Sequence, residues 1–144
     1  MKWVTREKPK TDRIACPWLI RKFIDPDAEI IYVPREQVLE VAEKEGATSF
    51  DAPDAKYGHR EGKCTFEVLI EEYKLTDPAL LKLAEIVHGA DTHDERTTPQ
   101  SNGLRAIGEG FLHVIQDDHE NLRIQSYIYD ALYEWCKASI SANM

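Results

Sequence analysis

The feature that most constrains this chain is an alternation, packed into its first fifty residues, of short β-prone runs with proline-bounded helical runs. Trp3-Val4-Thr5 is the first β-prone run. Glu29-Ile30-Ile31-Tyr32-Val33 is the second, dense in β-branched and aromatic side chains. Thr48-Ser49-Phe50 offers a third. Between the first two, Cys16 to Asp25 reads as a helix. Pro17 suits a first turn, where its missing N–H costs nothing, and Pro26 disfavours helical geometry at Asp25. This reading puts Cys16 near the N-cap; a helix starting earlier, at Thr11 or Asp12, has to absorb Pro17 as a kink. Pro34 then opens a helix carrying Val38, Leu39, Val41 and Ala42, which Gly46 closes. The order β-α-β-α-β suggests a small three-stranded sheet with right-handed parallel crossovers.

Beyond a polar loop from Asp51 to Gly62, the chain reads as four helices. Phe66, Leu69, Ile70 and Tyr73 share one face of the first. Asp77-Pro78 is an N-cap followed by a first-turn proline, and the stripe Leu80, Leu83, Ala84, Val87 ends at Gly89. Thr98-Pro99 starts the third, with Leu104, Ile107, Phe111 and Ile115 inward. Gly103, Gly108 and Gly110 each cost it about 1 kcal/mol against Ala unless they serve close packing. Asp117-Asp118 precedes the last helix, whose core face is Ile124, Ile128, Ala131 and Trp135. The expectation is an α+β, helix-dominated fold, a three-stranded sheet followed by a four-helix part. Residues 1–144 form one domain, since neither a repeat nor a linker interrupts them.

Charge narrows the partners. Residues 1–22 hold seven Lys or Arg and two acids, a net +5; the remainder holds eleven basic and twenty-four acidic residues, a net −13. The acidic body repels nucleic-acid phosphates and argues against a general DNA-binding role, while the basic segment suits either a small anion or a solvated tail. The sequence lacks the run of about 18 to 20 apolar residues that a membrane helix needs, and its amino terminus lacks a signal peptide's apolar stretch. Three widely spaced cysteines, Cys16, Cys64 and Cys136, are no disulfide framework. The chain reads as cytoplasmic, without membrane insertion.

No GxGxxG, P-loop, GxSxG or HExxH motif is present. Four groups remain. In Asp12-Arg13-Ile14-Ala15-Cys16, a helix N-terminus at Cys16 favours an anion or a thiolate, and Arg13 adds an oxyanion contact. Equally, Cys16 is a small buried residue and Arg13 a partner of Asp12. In Gly58-His59-Arg60-Glu61-Gly62-Lys63-Cys64, imidazole and thiolate both suit a borderline metal, though a surface turn before a core cysteine explains the pattern as well. Asp91 and His93 are metal-compatible, while His88 falls in a last helical turn where positive charge needs no ligand. Asp117-Asp118-His119 is explained by capping alone. With short up-and-down connections, His59, Cys64, Asp91 and His93 share one end of the helices, and Asp117 lies at the other. The candidate sets are therefore Arg13, Cys16 and His59 for an oxyanion, and His59, Cys64, Asp91 and His93 for a transition-metal ion such as zinc, iron or manganese.

These residues also carry a resemblance. Trp3-Val4-Thr5-Arg6-Glu7 and Asp12-Arg13-Ile14-Ala15-Cys16-Pro17-Trp18-Leu19-Ile20-Arg21 are similar to the opening of the carboxy-terminal domain of the chromate-resistance protein ChrB. Tyr32-Val33-Pro34, Gly58-His59 with Cys64, Thr76-Asp77-Pro78-Ala79-Leu80, Gly89-Ala90-Asp91-Thr92 and Tyr129-Asp130-Ala131-Leu132-Tyr133-Glu134-Trp135-Cys136 match as well. At position 88 the family pattern leads one to expect Arg where this chain has His88. The resemblance implies a part in bacterial chromate resistance, limiting chromate accumulation or regulating the response. Three functions fit it: an accessory protein that binds or senses chromate, a similar oxyanion or an associated metal ion; a metal-dependent redox enzyme that removes oxidants formed during chromate reduction; or a structural partner of a transporter or regulator.

Overall fold

The structure, a computed structural model, describes residues 1–92 and 94–142. Its strands are β1 (Lys2–Arg6), β2 (Glu29–Val33) and β3 (Thr48–Ser49). Its α-helices are α1 (Thr11–Leu19), α2 (Val38–Glu45), α3 (Thr65–Glu72), α4 (Pro78–Asp91), α5 (Ser101–Val114) and α6 (Asp118–Ala142). The α+β, helix-dominated expectation and the order β-α-β-α-β hold.

The strands lie in the order β2-β1-β3 and all run parallel. Lys2 pairs with Glu29 and Arg6 with Val33 on one side of β1, and Trp3 pairs with Thr48 on the other. The chain thus leaves β1 to one side and then crosses back over it. The right-handed rule for such crossovers places α1 and α2 on opposite faces. Accordingly α2 packs on β1 and β3, whereas α1 packs against α3, α4 and α6. Trp3, Val4 and Thr5 on the middle strand are all fully buried, as a parallel sheet covered on both faces requires. The Trp3 ring meets Phe50, Tyr57 and Tyr73 at centroid distances of 6.3, 6.3 and 6.4 Å, so the loop after β3 is pinned to the sheet.

Ile107 of α5, and Ala131 and Trp135 of α6, expected inward, are exposed, and α6 buries Leu122, Gln125, Tyr129, Tyr133 and Cys136 instead. Two helices also differ from expectation in their ends. The first begins at Thr11, so Pro17 lies inside α1 and Cys16 lies in its body, not at its start. Proline has no N–H for the carbonyl four residues back, that of Arg13. The Tyr32 hydroxyl donates to that carbonyl instead, at 2.7 Å, and this is how the helix absorbs the proline. A wider turn, Ile20–Ile24, follows, in which the Asp25 N–H reaches the Ile20 carbonyl at 2.6 Å.

The second difference is that α4 runs past Gly89 to Asp91. A Cβ on Gly89 would sit 2.3 Å from Ser101 Oγ and 2.8 Å from Thr97 Cα. The glycine therefore serves the close approach of α4 to the start of α5 rather than ending a helix. Gly103 and Gly110 face open space, and a Cβ on Gly108 would make only ordinary contact, so none of the α5 glycines is there for tight packing. Asp77 caps α4 as expected, accepting from the N–H groups of Ala79 and Leu80. Trp18 Nε1 donates to Asp130 at 2.8 Å and ties α1 to α6. Among the described residues, no helix is long and apolar enough to cross a membrane.

Candidate functional site

In a sheet of order 2-1-3, the connections that leave the carboxyl ends of strands 1 and 3 diverge, and a crevice opens there. Arg6 closes β1, Asp51 follows β3, and Asp12 sits on the first turn of α1, all beside this switch point. The last turn of α4 brings Asp91, and the 51–64 loop brings His59. A cleft of about 310 Å³ is lined by these five together with Lys10 and Arg13.

His59 is the meeting point. Its Nε2 lies 3.0 Å from Asp91 Oδ2, 3.3 Å from Asp12 Oδ2 and 3.4 Å from Asp51 Oδ1, while half of its side chain stays exposed. Asp51 holds the loop in place. Its φ of +47° is a left-handed conformation that Asp tolerates better than most residues, and its N–H donates to the Tyr57 carbonyl at 2.8 Å. Asp51 Oδ1 accepts from the Thr65 hydroxyl at 2.8 Å. Its Oδ2 faces Arg6 Nη2 at 3.4 Å and Arg13 Nε at 3.5 Å. Asp12 Oδ2 accepts from the Thr65 N–H at 2.9 Å, at the start of α3. Asp12 Oδ1 is buried and has no hydrogen-bond partner among the described residues.

The electrostatics follow from this crowding. Burial, then Asp91, pushes the Asp12 carboxyl well above the usual carboxylate range. Burial pushes Asp51 the same way, but hydrogen bonds from His59 and Thr65 and the charges of Arg13 and Arg6 outweigh it and hold that carboxyl low. Hydrogen bonds to Asp12, Asp51 and Asp91 push His59 up to about 12. The group therefore holds a proton on or beside His59 through the neutral range. A divalent cation would take over the same neutralising role. Asp12, His59 and Asp91 each bring one ligand atom, all within 4.8 Å of one another.

The expected oxyanion set is not assembled as such. Arg13 lines the cleft, but its Nη1 donates to the carbonyls of Glu7 at 2.8 Å and Arg6 at 3.3 Å, and its Nε faces Asp51 rather than Asp12. Cys16 is fully buried in the body of α1 and is not among the residues that line the cleft. His59, the third member, faces three carboxylates.

The expected metal set divides. His59 and Asp91 meet; His93 lies outside the described residues. Cys64, the N-cap of α3, joins a different group with Glu67 and His88, whose ligand atoms also lie within 4.8 Å of one another. Glu67 Oε1 accepts from the Cys64 N–H at 3.0 Å and lies 2.5 Å from His88 Nδ1. His88 Nε2 lies 2.8 Å from Asp94 Oδ2, and Arg96 Nη2 donates to Glu67 Oε2 at 2.7 Å. His88 and Cys64 are fully buried.

Reasoning from the sequence misses Asp12, Asp51, Glu67 and His88 as members of these groups. A signal exists for Asp51, an acid directly after a strand at a switch point. The other three become visible only when α1, α3 and α4 converge. Asp118, in the group assigned to capping, accepts from the Lys8 N–H at 3.1 Å and belongs to neither cluster.

The ChrB C-terminal domain family model matches residues 3–136. The chain belongs to this family. It is 32% identical over 132 residues to Protein ChrB of Cupriavidus metallidurans, covering 91% of this chain and 39% of that relative. It thus spans less than half the length of this ChrB relative. No solved structure matches it.

Proposed function

We propose that this ChrB-family domain works in chromate resistance as a divalent-metal-binding protein, with Asp12, His59 and Asp91 as ligands and Asp51 holding His59 in place. The observation that carries this reading is Asp12. It is 1% exposed, its Oδ1 has no hydrogen-bond partner among the described residues, and it lines a polar cleft beside a histidine and two more carboxylates. A buried carboxylate oxygen left unpaired costs about 1–3 kcal/mol or more, and a bound cation removes that cost. Carboxylate oxygens with one imidazole suit manganese, iron(II) or zinc. Three acidic groups around His59 favour a cation over a free oxyanion at this point.

A role for chromate enters at the rim. Lys10 and Arg6 line the same cleft, and the Lys10 ammonium has no ion-pair partner among the described residues. A tetrahedral dianion fits beside them as an additional ligand of the bound metal, which makes chromate binding metal-dependent. An open coordination position of this kind is also what the redox-enzyme alternative needs.

Titration calorimetry with Mn²⁺ and Zn²⁺, on the native chain and on Asp91→Asn and His59→Gln, tests the reading. One ion per chain is expected at this cleft, weakened at least about tenfold in either variant, as loss of a ligand requires. Chromate should raise the melting temperature only when metal is present. Equal metal binding by the native chain and both variants would sink the assignment.

A further inference from the structure

We propose that Cys64, Glu67 and His88 form a second, buried metal site, separate from the Asp12–His59–Asp91 cleft and suited to a thiolate-accepting divalent ion of the zinc type. It goes beyond the first reading and does not depend on it.

Three observations carry it. Ligand atoms of three kinds, a thiol sulfur, a carboxylate oxygen and an imidazole nitrogen, lie within 4.8 Å of one another. That combination favours zinc-like ions over magnesium or calcium. Next, Nε2 of His88 is held by Asp94 at 2.8 Å, which leaves Nδ1 aimed at Glu67. A carboxylate on the far nitrogen is the arrangement that fixes a metal-ligating histidine in orientation and raises its basicity. Finally, Arg96 occupies Oε2 of Glu67 at 2.7 Å, while Oε1, which caps α3 by accepting from the Cys64 N–H at 3.0 Å, is the oxygen that faces His88.

Burial alone accounts for His88 less well. A fully buried histidine flanked by two carboxylates is an unusual filling for a core, and Gly89 beside it lets the start of α5 come near α4. Loading the site removes the thiol proton of Cys64 and the hydrogen between His88 Nδ1 and Glu67. Both leave to solvent, and the ion forms bonds to Sγ, Nδ1 and Oε1. The site would then clamp the start of α3 to the last turns of α4. Asp91, one helical turn beyond His88, would be held in register for the outer cleft.

Cobalt(II) is the probe, because thiolate ligation gives it an intense near-ultraviolet charge-transfer band that oxygen and nitrogen ligands do not. The native chain, refolded with Co²⁺ under reducing, oxygen-free conditions so that the buried site can load, should show this band, and excess Zn²⁺ should remove it. Cys64→Ser keeps an N-cap hydroxyl and so keeps the helix start; it should lose the band while staying folded by circular dichroism. His88→Gln should weaken Co²⁺ binding at least about tenfold. Asp91→Asn should leave the band unchanged, which separates this site from the outer one. A folded native chain without the band overturns the proposal, as does a band that survives in Cys64→Ser. A band that vanishes in Asp91→Asn would also overturn it, by making the two groups one site.

Discussion

The two clusters of this domain share their supports and differ in what surrounds them. Both stand at the start of α3 and the end of α4: Thr65 donates to Asp12 while its neighbour Cys64 donates to Glu67, and Asp91 and His88 lie one turn apart. The outer cluster gathers three acids and a half-exposed histidine at the sheet's switch point, in a cleft open to solvent. The inner one pairs a fully buried histidine and cysteine with a glutamate already held by an arginine. The contrast teaches that the same few backbone positions build two clusters of different chemistry. Exposure of the histidine distinguishes them: His59 stands half in water over buried acids, while His88 is sealed in the core.

The sharpest way to break this comparison is to remove each histidine. His88→Ala empties a fully buried position between Glu67 and Asp94, and a loss of about 2–5 kcal/mol in urea unfolding is expected, the scale for truncating a large core side chain. His59→Ala should cost less than about 1 kcal/mol, because half of that side chain is in water. Comparable losses in the two variants would mean that burial does not distinguish the clusters.

Next in size is Gly89→Ala. The new Cβ meets Ser101 Oγ at 2.3 Å and the Thr97 backbone at 2.8 Å, so overpacking of about 1–3 kcal/mol is expected from thermal or urea unfolding. Because Gly89 lies between His88 and Asp91, metal binding at both clusters should weaken together. A variant as stable as the native chain would show that the α4–α5 approach does not hold the two sites in register.

The third effect is pH dependence at the outer cluster. His59, pushed up to about 12 by its three acids, carries its proton throughout the neutral range, and a metal ion must displace it. Affinity for Zn²⁺ or Mn²⁺ should therefore rise with pH, about tenfold per unit for one displaced proton. In the metal-free chain the sign for stability is opposite. A histidine whose folded value is raised contributes fully below its unfolded value near 6.5 and loses that contribution as pH climbs toward about 12. Calorimetry between pH 6 and 8 in two buffers measures the proton count; an affinity that falls with pH contradicts the assigned role of His59.

The smallest expected effect concerns the rim. Lys10→Ala removes a cation that has no ion-pair partner among the described residues, so stability should stay within about 0.5 kcal/mol of the native value. Any metal-dependent shift in melting temperature caused by chromate should shrink. An unchanged shift would place the oxyanion elsewhere.

Much of the architecture is legible in the residues themselves. β2 is found over Glu29–Val33 as its β-branched run predicts, Asp77-Pro78 starts α4, and Gly46 ends α2 in the left-handed conformation. Those features depend on neighbours in the chain, which is why they can be read locally. The start of α1 is harder, because Pro17 is tolerated only where Tyr32, from another strand, satisfies the Arg13 carbonyl. The end of α4 is misread for the same reason: Gly89 has the residue type of a helix stop, but its neighbour across space is Ser101.

From the sequence alone, this protein's family resemblance, its strand and helix order, and two members of the outer cluster, His59 and Asp91, are determined. Only the tertiary structure decides that Asp12 and Asp51 meet them, that Cys64 pairs with Glu67 and His88, and that Cys16 is core. Periodicity and capping are set by neighbours a few positions apart. The protonation of Asp12 and His59 is set largely by groups distant in the chain, brought together only when the crossover of β1, β2 and β3 is complete.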